Sequence, residues 1–196
     1  MFYDYLFPTV VLKDYNVLKN PQKILGAIGT ERHSTPHIHK EEKFKELADK
    51  VLEYSNDYAK NMKWNTELYI VSMWYNSMKQ HEDHRPHSHG NSLLSGVYYP
   101  TGTPSHPSIE FFDKRGVGVI DPTLAKEGGD SSAFTVENST SWHYPVIPNS
   151  ILIFPSWLQH WVSVNKCEIP RISISFNIMI KGQAGKEEDL NGITWK

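Results

Sequence analysis

A mainly β fold, a sandwich or barrel with one long helix laid against its side, is predicted by three features of the sequence. Short β-branched and aromatic segments follow Asn65: Leu68–Tyr75, Leu93–Tyr99, Ser108–Phe112, Ile151–Pro155 and Arg171–Ile180. Clusters of Pro, Gly, Asn and Ser separate them, as turns between strands require. One helical stripe stands before them: Phe44, Leu47, Ala48, Val51, Leu52, Ser55, Tyr58, Ala59 and Met62, within Glu41–Met62. The 196 residues suffice for one well-buried core and are short for two. One domain over 1–196 is therefore expected, with 1–65 as N-terminal segment and supporting helix, 66–180 as the β core and 181–196 as a tail.

Along the chain, residues 1–40 read as an irregular start with strand character near Leu6–Leu12. The stripe of 41–62 faces a core and needs no functional explanation. Thr101–Ser150 is rich in Gly, Pro and Ser, with strand fragments such as Ala133–Val136. Loops that long in a compact domain often act as lids or binding loops. Trp142, His143 and Tyr144 are then either substrate contacts or a packed hairpin, the hairpin being the simpler reading. In the last segment, Ile172, Ile174, Phe176, Ile178 and Ile180 share one face, and Arg171, Ser173, Ser175, Asn177 and Met179 the other. A sheet with its polar face in water is the plain interpretation. The alternative is a barrel whose apolar face packs on the helix while its polar face lines a ligand cavity.

A net charge of −2 without a dense basic run argues against a nucleic-acid or anionic-membrane surface. The lone Cys167 excludes an internal disulfide, fits a reducing compartment and reads as structural. Met1–Val11 is apolar but interrupted by Asp4 and Pro8, and lacks the basic start and cleavage site of a secretory signal. No segment approaches the roughly 20 apolar residues that cross a bilayer. A cytoplasmic location is the expectation.

The chemistry concentrates in HEDHRPHSHGNSLLSGVYYP, residues 81–100, and in FPSWLQHWVSVN, residues 154–165. His87 and His89 are two apart and point to one side of an extended backbone. With His160 from a later strand they can form a facial set on a divalent transition metal, leaving positions open for substrate and oxygen. Arg85 and Pro86 suit a solvated loop equally well, so the residues alone leave both readings open. A second pair, His37 and His39, lies in a Thr/Pro stretch and reads as loop surface. Arg171, if interior, needs a carboxylate to fork onto. Its own segment supplies none, which makes a bound acid the candidate.

In order, these motifs are a Tyr/Trp-rich strand, H-S-H, SLLSGVYYP, IPNSILIFPSWLQHWV and RISISFN. That order resembles the 2-oxoglutarate- and iron(II)-dependent oxygenases, most of all a prolyl-hydroxylase-like subgroup of short bacterial and phage proteins. Those begin with an LFPT segment, as Leu6-Phe7-Pro8-Thr9 does here. The resemblance implies a double-stranded β-helix (a cupin-like jelly roll) with helices on one side. It implies His87 as the first metal ligand, His160 as the distal one, and Arg171 with Ser173 as the pair gripping the far carboxylate of 2-oxoglutarate. Tyr99 resembles a tyrosine that also touches that carboxylate. Iron(II), 2-oxoglutarate and oxygen are the implied reactants, giving succinate, carbon dioxide and a hydroxylated substrate, peptidyl or small, in the host cytoplasm if phage-encoded.

One departure is His89, where most of the superfamily has Asp or Glu. It leaves the iron one negative charge poorer, with Asp83 as the alternative ligand and Glu110 a distant third. It also keeps open a non-oxidative, cupin-like binding module. A phage structural protein would bind no metal. Oligomeric state is not legible in the chain.

Overall fold

The computed structural model of the chain describes residues 1–4, 6–113, 135–186 and 192–194. Nine strands build the body: β1 Leu12–Tyr15, β2 Glu67–Met78, β3 His84–His87, β4 Leu94–Tyr99, β5 Ile109–Phe112, β6 Ser141–Tyr144, β7 Ser150–Pro155, β8 Gln159–Val162 and β9 Arg171–Lys181. A short pair, β10 Gln183–Ala184 and β11 Ile193–Thr194, follows. The helices are α1 Pro21–Ala27 and α2 Lys45–Asn61.

Pairing is nested. β2 pairs with β9, β3 with β8, β4 with β7 and β5 with β6, so strands β2 to β9 are nested as in one long antiparallel hairpin. Rolling it over itself adds the pairs β4–β9 and β5–β8. The outcome is a sheet ordered β1-β7-β4-β9-β2 facing one ordered β3-β8-β5-β6. This is the double-stranded β-helix, the fold that the motif order implied.

The larger sheet is buried on both faces, and its sequence alternates between two cores rather than between core and water. Leu94 and Tyr98 of β4, Ile151 and Ile153 of β7, and Ile174, Phe176 and Ile178 of β9 join Leu47, Val51 and Tyr58 of α2 in an outer core. Val97 and Tyr99, with Leu152 and Phe154, turn inward to meet Ile109 and Phe111 of the smaller sheet. On β9 the inward side chains are Arg171, Ser173 and Ser175, which line a cavity. The polar face of RISISFNIMI therefore looks into the barrel and not into water, because the helix has taken the other face.

Local boundaries moved for local reasons. The first strand begins at Leu12, not Leu6: Phe7 takes a left-handed backbone (φ 57°) and Pro8 lacks an N–H for a ladder. Helix α2 starts at Lys45, after 3₁₀ turns at Ile38–Lys40 and Glu42–Phe44, and no side chain caps it. It ends in a Schellman turn, with Lys63 left-handed (φ 56°) and the Trp64 N–H donating to the Ala59 carbonyl. Met62 is thereby turned out of the stripe, 37% exposed. Thr135–Asn138 forms a turn where a strand over 133–136 was expected. Residues 114–134, the middle of the expected lid, lie outside the described residues. Trp142–Tyr144 belongs to β6 and pairs with β5, the hairpin reading. No described helix is long and apolar enough to cross a membrane.

Gly96 tests the sheet's packing. A Cβ there would meet the Phe176 ring and stand 2.6 Å from the Leu152 carbonyl oxygen, which is backbone and cannot yield. Gly96→Ala is expected to lower unfolding free energy by about 1–3 kcal/mol, the usual cost of overpacking. Urea denaturation checks this; an unchanged midpoint would mean that the strands part freely here.

Candidate metal centre

Two of the predicted ligands are cross-strand neighbours. The β3–β8 ladder sets His87 opposite His160, and β5 places Phe111 on the other side of His160. His89 comes two residues after β3 and is held by its backbone N–H, which donates to the Ser156 carbonyl at 3.0 Å. The three rings converge, with centroids 4.4 Å (87–160), 5.1 Å (87–89) and 5.1 Å (89–160) apart. One ligand nitrogen from each lies within 4.8 Å of the others.

Backbone carbonyls choose the tautomers of two rings. The His87 Nδ1–H donates to the Arg85 carbonyl (2.8 Å) and the His160 Nδ1–H to that of Leu158 (3.0 Å). A carbonyl only accepts, so both rings present an Nε2 lone pair. Nε2 of His89 and Nε2 of His160 stand 3.3 Å apart. Two nitrogens each about 2.1 Å from one ion would be separated by roughly 3.0–3.4 Å. Burial pushes His160 down to about 3 and His89 to about 4, so both stay neutral and able to ligate at neutral pH. The rings of Phe154 and Phe111, centroids 4.8 and 6.0 Å from His160, wall that side against water. Donor set, tautomer and spacing all fit a divalent transition metal.

Arg171 lies across the same cavity of about 620 Å3. It is 2% exposed. Its Nε donates to the Pro107 carbonyl (3.0 Å), its Nη2 donates to the Tyr99 hydroxyl (2.9 Å), and the guanidinium lies 5.0 Å from the Tyr99 ring centroid. No carboxylate among the described residues stands within 4 Å. A buried guanidinium without a counter-ion is costly, and an incoming carboxylate relieves that cost. Tyr99 is the inward-facing tyrosine of the pair, while Tyr98 turns outward and donates to Asn149 Oδ1. Burial holds the Tyr99 phenol above its ordinary range, so it remains protonated. Ser173, also buried, lines the cavity one alternation along from Arg171.

Asp83 lines the cavity but is not one of the three clustered ligands. Glu110 is engaged on β5, where it accepts the Ser163 hydroxyl. His37 and His39 sit together in a turn, 5.7 Å between centroids, apart from the cluster. His84 was not singled out from the sequence. It too lines the cavity, and burial and then Arg171 push it down to about 4. In a regular strand, residues three apart point opposite ways, but an irregularity between His84 and His87 brings both inward. Nor did spacing reveal Asn76, whose Oδ1 accepts from His33 Nδ1 (2.8 Å) and Trp74 Nε1 (3.1 Å). That network steadies Trp74, whose ring centroid stands 6.2 Å from that of His89.

A family model described as 2OG-Fe(II) oxygenase matches residues 72–177, just over half of the chain. Among solved structures, HygX from Streptomyces hygroscopicus with nickel and 2-oxoglutarate bound aligns at TM-score 0.62 and 14% identity, over 96% of this chain and 91% of that one. SnoN, a non-heme alpha ketoglutarate dependent epimerase from nogalamycin biosynthesis, aligns at 0.63 and 10%, over 93% and 81%. A prolyl-4-hydroxylase from Pseudomonas putida aligns at 0.58 and 11%, over 89% of both. At such identities the structural likeness is one of fold. No curated protein sequence matches the chain.

Calorimetric titration with nickel(II) tests the triad. One ion per chain is expected, and His160→Ala should weaken binding by more than about 100-fold, beyond the range set by an outer partner. His39→Ala should leave the stoichiometry at one. Full binding by the His160 variant, with its circular dichroism unchanged, would remove that ring from the site.

Proposed function

The chain belongs to the family of 2OG-Fe(II) oxygenases, and we propose that His87, His89 and His160 hold its iron(II) while Arg171, Tyr99 and Ser173 hold its 2-oxoglutarate. It is an enzyme that uses iron(II), 2-oxoglutarate and oxygen on an organic substrate. We take the whole chain to serve that one domain. The observation that carries the reading is the placement in one cavity of three converging imidazoles and a buried guanidinium that has no carboxylate partner among the described residues.

When bound, iron and 2-oxoglutarate supply the oxidising chemistry, in which oxygen is reduced as the keto acid becomes succinate and carbon dioxide and a substrate C–H bond is hydroxylated. The chain's own part is placement. Arg171 takes the far carboxylate by a charge-assisted fork and so fixes which end of the diacid faces the imidazoles. The Tyr99 hydroxyl, already accepting from Arg171, can donate its own proton to the same carboxylate. Carbonyls behind His87 and His160 keep their lone pairs aimed inward. Apolar neighbours, Val97, Ile109 and Phe154, keep water from the cavity floor. Three neutral ligands bring the metal no negative charge, which distinguishes this centre from one with a carboxylate ligand. Prolyl side chains remain the substrate suggested by the Tyr99 likeness, and the cavity's size suits a small molecule as well.

Anaerobic addition of iron(II) and 2-oxoglutarate is expected to raise a visible charge-transfer band, and admission of air to yield succinate. Arg171→Ala should raise the 2-oxoglutarate dissociation constant about 30-fold or more, because losing one partner of a buried charge pair costs roughly 2 kcal/mol or more. An unchanged constant would place the diacid elsewhere, and no band and no succinate would favour a non-oxidative binding module.

A further inference from the structure

The cavity holds charges that neither iron(II) nor 2-oxoglutarate uses. Arg32 and Arg85 line it along with Arg171, and the one carboxylate lining it among the described residues is that of Asp83. Arg85 has no carboxylate within 4 Å among the described residues, and Arg32 reaches Glu82 only at 3.5 Å, with half its side chain exposed. The whole chain carries −2, so this excess of cations is local to one cleft. A cleft lined by one sign of charge concentrates ligands of the other.

The metal centre adds to the imbalance. Three neutral imidazoles leave a divalent cation uncompensated, a dianionic diacid cancels it, and Arg171 then stands as one net positive charge. Arg32 and Arg85 come on top of that, set against Asp83 in the lining and the Glu82 that pairs with Arg32. Trp74, its ring centroid 6.2 Å from that of His89, adds flat apolar surface to the same lining. At about 620 Å3 the cavity falls within the range of small-ligand sites.

Resting on the function proposed above, we propose that the primary substrate is a small organic anion, bearing a carboxylate or a phosphate ester. Arg85 holds its charged group with Arg32 alongside, and Trp74 receives its carbon skeleton next to the imidazoles. Arginine suits the task because its fork meets either oxyanion in a bidentate way, so the same two residues serve both sources of charge.

The test uses the iron(II)-loaded protein without oxygen and with saturating 2-oxoglutarate, so that Arg171 is already engaged. Calorimetry then compares phenylacetate with phenylacetamide, and phenyl phosphate with phenol. At least one anion should bind about tenfold or more tightly than its neutral partner, and that preference should shrink as salt is raised. Which anion leads separates the carboxylate from the phosphate. Arg85→Gln should bring the preference below about threefold, and Arg85→Lys should restore part of it. The 2-oxoglutarate titration of each variant reports that its cavity is intact. Equal binding of each pair, no binding by either anion, or a preference that survives Arg85→Gln with the cavity intact overturns the proposal. Failure of 2-oxoglutarate itself to bind the parent protein removes the function on which it rests, and is read separately in the first titration.

Discussion

The candidate centre depends on the register of one short ladder. β3 and β8 are four residues each, and their pairing alone brings His87 beside His160. Shifting that ladder by one residue would send one ring outward, since side chains alternate with a period of two. The turn between β7 and β8 does the remaining positioning. Ser156 offers its carbonyl to the His89 N–H, and Leu158 offers its own to the His160 ring. Ser156 is in turn tied through hydroxyls to Ser92 and Ser95, and Ser95 donates to Asn177 on β9. The smaller sheet is thus locked to the larger one close to the three imidazoles. Two hydrophobic cores, one on each face of the larger sheet, make the frame stiff enough to hold that register.

Polarity inside the barrel follows from what each strand must face. β4 and β7 fill their half with Val97, Tyr99, Leu152 and Phe154, while β9 presents Arg171, Ser173 and Ser175. Folding therefore buries a guanidinium whose partners among the described residues are a carbonyl and a phenol, neither of them charged. Such a group lowers stability unless a carboxylate joins it. Ligand binding repays part of that cost, so the diacid should stabilise the fold as well as fill the site.

The long, β-branched and aromatic strands were legible because their alternation needs no partner to be recognised. β3 and β8 were not: HRPH carries a proline and charges, and QHWV is too short to alternate. Their extended form comes from pairing with distant residues, which spacing does not record. For the same reason His-x-His alone could not show that β8 sets a third ring beside it, and His84 was missed because its inward aim comes from an irregularity in the ladder. The destination of Arg171 was ambiguous in its own segment, since a polar face reads alike in water and in a cavity. The helix stripe and the apolar face of β9 had to meet first. His37 and His39 share the spacing of His87 and His89, but His39 lies in a 3₁₀ turn and no third ring among the described residues joins them.

The account rests on three imidazoles and one guanidinium sharing a single ligand assembly. A crystal structure of the protein grown without oxygen, with iron(II) and 2-oxoglutarate, tests this most directly. The expected result is one ion bound by a nitrogen from each of His87, His89 and His160, with the diacid's far carboxylate forked onto Arg171. An ion held instead through Asp83, or a diacid lying away from Arg171, would contradict it.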